Sequence, residues 1–108
     1  MKTIAPKSLT KALLVAAVLL MTGCETAPPV QEMSDARQAI AVAKEAGAAE
    51  KAAIHLKAAE SYLQRAQQKL NDHQYSLARY DAKQAKMKAL DALKASEAVT
   101  GSAEDDSQ

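Results

Sequence analysis

Tryptophan and phenylalanine are absent from this chain, and three tyrosines are its only aromatic residues. The only large rings that could help fill a core are therefore those of Tyr62, Tyr75 and Tyr80. There is one cysteine, Cys24, so no disulfide can staple the fold within one chain. Basic charge is also short. Setting aside Lys2, Lys7 and Lys11 takes the 14 Lys and Arg to 11 against 13 Asp and Glu, a net of −2 from residue 24 onward. That balance disfavours nucleic acid and anionic lipid as electrostatic partners.

Alanine is what the chain has in quantity. Between Met33 and Val99 there are 19 alanines against 15 larger apolar residues. Alanine is the strongest helix former but buries little area, so a thin core must be stabilised by propensity, close packing or association. With 108 residues, one small domain is expected.

The first residues stand apart. Lys2, Lys7 and Lys11 are followed by an apolar run from Ala12 to Met21, and then by the small residues Thr22 and Gly23. This is the order of a secretory leader. Ten helical residues cover about 15 Å, half of a bilayer's hydrocarbon core, which argues against a transmembrane span. The sequence Leu19-Leu20-Met21-Thr22-Gly23-Cys24 resembles the lipobox of bacterial lipoproteins, with Met21 where Leu is more usual. The resemblance implies a signal peptide over 1–23, cleavage between Gly23 and Cys24, and acylation of Cys24. Glu25, rather than Asp, follows the cysteine, which implies the outer membrane and a periplasm-facing domain. The segment 24–32, with Pro28 and Pro29, reads as a flexible tether.

The rest is helical in period, and the expected fold is all-α. Ser34 is a candidate N-cap, and Ala36, Ile40, Ala43 and Gly47 follow at spacings of 4, 3 and 4. Gly47 is a candidate stop, although the alanines around it also permit a continuous or kinked helix. Ala52, Leu56, Ala59, Leu63, Ala66 and Leu70 form a heptad seam. Asn71-Asp72-His73-Gln74 interrupts it as a turn, and Ala78, Ala82, Ala85, Ala89 and Ala92 form a second seam. The short turn predicts an antiparallel helical hairpin with the first helix packed beside it. The helical domain is thus expected over 33–99, with a disordered acidic tail over 100–108.

Three stretches, Asp35–Ile40, Ala58–Ala66 and Asp72–Arg79, resemble the DUF4398 group of small bacterial lipoproteins. That group has an alanine-rich helical domain of undefined function. The hairpin is also similar to one tetratricopeptide repeat, with Tyr75 opening the second helix and Ala78 packing the crossing. The repeat likeness implies geometry only; the lipobox, the hairpin and the lack of a catalytic constellation together lead to the expectation of a non-enzymatic, outer-membrane module that binds an envelope protein. The alanine seams are also similar to those of alanine-zipper lipoproteins, which implies a homo-oligomeric bundle as the alternative.

Candidate chemistry is sparse. His55 and His73 are eighteen positions apart without ligands at metal spacing, so neither a metal nor a cofactor is expected. With Cys24 assigned to lipid, no nucleophile motif or small-molecule site is evident. Tyr62, Tyr75 and Tyr80 are candidate partner-binding residues. The competing reading for Tyr62 and Tyr75 is aromatic packing at the hairpin end.

Overall fold

The computed structural model describes residue 11 and residues 27–106, and these include four helices and no strand. Apart from Lys11, the leader through Gly23, with Cys24 and Glu25, lies outside the described residues. Helix α1 spans Val30–Glu45, α2 is the single turn Ala48–Lys51, α3 spans Ala53–Asn71 and α4 spans Tyr75–Asp106. None of these is long and apolar enough to cross a membrane.

The first helix begins earlier than the Ser34 cap suggested. Pro29 is its N-cap residue and is fully buried, and its carbonyl accepts from the Met33 amide at 3.0 Å. No side chain caps this end. Glu32 in the first turn supplies the negative charge that the positive end of the helix dipole favours. Ser34 is an exposed position within the helix. Residues 30–32 are therefore part of the folded unit, not of the expected tether.

Two corners reverse or shift the chain. At the first, Gly47 has φ +84°, and its amide donates to the Lys44 carbonyl at 2.9 Å. The left-handed conformation ends α1 there, so the open choice at Gly47 resolves as a break. Ala52, at φ −145°, then separates α2 from α3. At the second corner His73 has φ +60°, His73 N donates to Leu70 O at 3.1 Å, and Gln74 N donates to Lys69 O at 2.8 Å. This pair of bonds is a Schellman closure, with histidine in the place glycine usually takes.

Cross-helix contacts give the directions. Arg37 donates to Gln67 at 2.9 Å and Lys44 pairs with Glu60 at 2.7 Å, so α1 and α3 are antiparallel. Arg65 approaches Asp81 at 3.7 Å across the α3–α4 hairpin, also antiparallel. Glu32 pairs with Arg79, Asp35 with Lys86, and Lys51 with Thr100, so α1 and α2 run parallel to α4. The expected hairpin with a third helix beside it is what forms, as an up-down-up bundle.

The core follows the alanine seams. Ala78, Ala82, Ala85, Ala89 and Ala92 of α4 are completely buried, and so are Ala36, Ala43, Ala59 and Ala66 on the facing helices. Met33, Ile40 and Leu56 are the larger buried side chains, while Leu63 and Leu93 pack partly buried at the edge. Alanine on every side lets backbones approach closely, so dispersion contacts stand in for the area that large side chains would bury. Ser96 is buried at the end of the α4 seam, and its hydroxyl donates to the Ala92 carbonyl at 2.8 Å.

The C-terminal segment departs from the expected disordered tail, because α4 continues as helix through Asp106. The 32 residues of α4 reach about 48 Å, whereas the 19 of α3 reach about 28 Å. The reason is local: between Thr100 and Asp106 there is no proline, and one glycine costs only about 1 kcal/mol. Lys51 Nζ donates to Thr100 Oγ1 at 2.6 Å, and Thr100 Oγ1 donates to Ser96 O at 3.1 Å, fixing the point where α4 leaves its neighbours.

Candidate functional site

The three tyrosines do not converge. Tyr62 is half-buried on α3, with the Arg65 guanidinium 5.2 Å above its ring and Arg65 in turn facing Asp81. Asp81 is almost fully buried, so this stacked cation shields a carboxylate that the hairpin has taken out of water. Tyr75 is half-buried at the start of α4, with the His73 ring 5.9 Å away and tilted by 47°. The aromatic contact at the hairpin end is therefore His73–Tyr75, within the turn, rather than Tyr62–Tyr75 across the helices. Tyr80 is 60% exposed, off the alanine seam.

His55 and His73 are both exposed, on opposite ends of the hairpin. Among the described residues no group of His, Cys, Asp and Glu is placed to hold a metal.

What the periodicity did not reveal is a clasp at the N-terminal end of the bundle. Arg79 donates through Nε to Glu32 Oε1 at 3.0 Å and through Nη2 to the Ala27 carbonyl at 3.0 Å. One guanidinium thus ties α4 to the first turn of α1 and to the chain preceding it. Amide donation at the start of α1 holds the Glu32 carboxyl below its usual value of 4.5. Arg79 and Lys83 add to that effect, against the opposing cost of partial burial. Nothing in a seam count marks Arg79, because its partners are 47 and 52 residues away.

Two surface depressions accompany the helix packing. A groove of about 220 Å³ runs between α1 and α4, lined by Asp35, Gln38, Ala39, Val42, Lys86, Leu90 and Leu93. A second, of about 370 Å³, lies between α1 and α3 beside Lys44, Ala53, Leu56 and Glu60. Leu77, Tyr80, Met87 and Leu90 leave α4 with an exposed apolar component facing away from the core. Lysines 83, 86 and 94 stand exposed among them. Such a face can bind another surface. The chain matches no protein-family model, no curated protein and no solved structure.

Proposed function

We propose that this chain is an outer-membrane lipoprotein, anchored through acyl chains on Cys24, whose helical bundle is a non-catalytic module for protein interaction in the envelope. The observation that carries the reading is Leu19–Cys24 placed behind a basic and apolar leader. Glu25 supports the outer membrane with a periplasmic face, and the resemblance of three stretches to the DUF4398 lipoproteins supports a helical, lipid-anchored domain. Several acyl chains hold a domain firmly, whereas one does so marginally, at about 0.8 kcal/mol per buried methylene.

The clasp adds a geometric consequence. Only Glu25 and Thr26 separate the lipid-bearing cysteine from Ala27, whose carbonyl Arg79 holds. The three steps from Cys24 to Ala27, at about 3.5 Å per extended residue, reach roughly 10 Å at most. The end of the bundle bearing the His73 turn then lies close to the membrane surface, and the free end of α4 points away from it.

Membrane fractionation of a Cys24→Ala variant tests the anchor. Release from the membrane fraction is expected, with loss of acylation. A variant that stays in the membrane and is processed like the parent sinks the lipoprotein reading. Photo-crosslinking from position 80 in cells tests the interaction role, and a specific partner adduct is the expected product.

A further inference from the structure

The covered alanine seams leave a different face of α4 open. Lys86, Leu90, Lys94, Glu97, Gly101 and Asp105 are all exposed, and their spacings are 4, 4, 3, 4 and 4. This sequence of steps keeps to one face of a helix and reads the same in both directions. The charges do not read the same, being basic at the first and third positions and acidic at the fourth and last.

We propose that this stripe pairs two copies of the chain, α4 against α4, antiparallel about a two-fold axis between residues 95 and 96. In that register Lys86 of each copy faces Asp105 of the other, Lys94 faces Glu97, and Leu90 lies over Gly101. A two-fold interface must be self-complementary, with residue i meeting j and j meeting i. The palindromic spacing with inverted charge meets that condition.

Three further observations point to a second copy rather than to a bare solvated face. Lys94, Glu97 and Asp105 make no ion pair among the described residues, and Lys86 has only a 3.9 Å approach to Asp35. Leu90 is 40% exposed and its neighbour Met87 56%, apolar surface on a helix whose inner face is already filled. Gly101 sits inside a helix, at a cost in helix propensity. Among the described residues nothing lies within 4 Å of where its Cβ would be, so none of their contacts requires a glycine there. A partner backbone approaching under Leu90 would require one. The overhang of α4 beyond Thr100 then packs against a second copy.

Because the pairs sit at the surface, the dimer is salt-sensitive and forms at high local concentration. The proposal does not rest on lipid at Cys24, so each can fail without the other. Sedimentation equilibrium of the full chain in density-matched nonionic detergent, at low salt, tests it. A monomer–dimer equilibrium is expected for the natural sequence. The double variants Lys86→Glu with Lys94→Glu, and Glu97→Lys with Asp105→Lys, each raise the dissociation constant by about tenfold or more. An equimolar mixture of the two restores pairing, because every contact becomes opposite in charge again. Gly101→Leu weakens the dimer while leaving monomer helicity intact by circular dichroism. A strictly monomeric chain, double variants that pair like the parent, or a mixture that fails to pair would each overturn the proposal.

Discussion

Helix α4 is one continuous rod with two different lives. From Tyr75 to Ser96 its inner face is packed with alanine at zero exposure, and from Glu97 to Asp105 every residue is exposed. The difference is in coverage rather than in propensity, since both stretches are helical. Where α1 and α3 flank the rod, side-chain size decides everything. Where they stop, only charge and backbone freedom are left to matter.

The largest effect that separates the two halves is steric. Ala85→Leu adds three carbons at a position with no exposure and is expected to destabilise the fold by about 1–3 kcal/mol, through overpacking. Ala103→Leu, exposed on the overhang, should shift thermal or urea unfolding very little. Equal losses at both sites would erase the distinction drawn between them.

Next in size is the Gly47 corner, which decides how far α1 and α2 travel along α4. A Cβ there meets Lys51 carbons at 3.5 Å and 3.6 Å, ordinary contact, so the cost of Gly47→Ala comes from φ +84° alone. About 1–2 kcal/mol is expected in urea unfolding. A neutral outcome would mean that the corner relaxes to another conformation.

The pH dependence sharpens the comparison from the covered end. The Glu32 carboxyl is held below 4.5 in the folded chain, so its contribution is present above the unfolded-state value and is lost as pH falls through the lowered one. Glu32→Gln should therefore be less stable than the parent near neutrality, by up to about 1 kcal/mol at this partly exposed site. The two should converge in acid, below the lowered value. A stability gap that is constant down to strongly acidic pH would rule out this linkage.

The smallest effect marks the boundary itself. Thr100→Val removes the hydroxyl that joins Lys51 to the Ser96 carbonyl, for a few tenths of a kcal/mol of global stability at an exposed site. Amide hydrogen exchange should nevertheless show protection retreating towards Ser96. An unchanged exchange pattern would place the boundary elsewhere.

The covered half was legible because alanine has a single structural use when it recurs at 4-3-4-3: the positions named from spacing, Ala78 to Ala92, are all buried. The turn at Asn71–Gln74 was legible for a similar reason, although its left-handed residue is His73 rather than an asparagine or glycine. The helix start was misplaced because Ser34 has better capping chemistry than Pro29, and tertiary burial of Pro29 outweighed it. The tail was misread because polar composition speaks of solvation, and a solvated segment can still be a helix when it extends one already nucleated. Of the candidate binding residues, Tyr80 stands exposed as its position off the seam implied, while Tyr62 and Tyr75 are engaged locally. The Arg79 clasp had no signature, because a single long-range hydrogen-bonded pair leaves no period.

An interior made of alanine also sets the direction in which this protein can change. A leucine core has room to lose atoms, and its variants fail by leaving holes. Here the side chains are already near the lower limit, with only glycine smaller. Almost any replacement at Ala36, Ala59, Ala82 or Ala89 must add volume where none is free. Sequence drift is thereby channelled outward, onto the exposed faces of α1, α3 and α4. New binding specificities could arise on those faces while the spacing between the helices stays fixed.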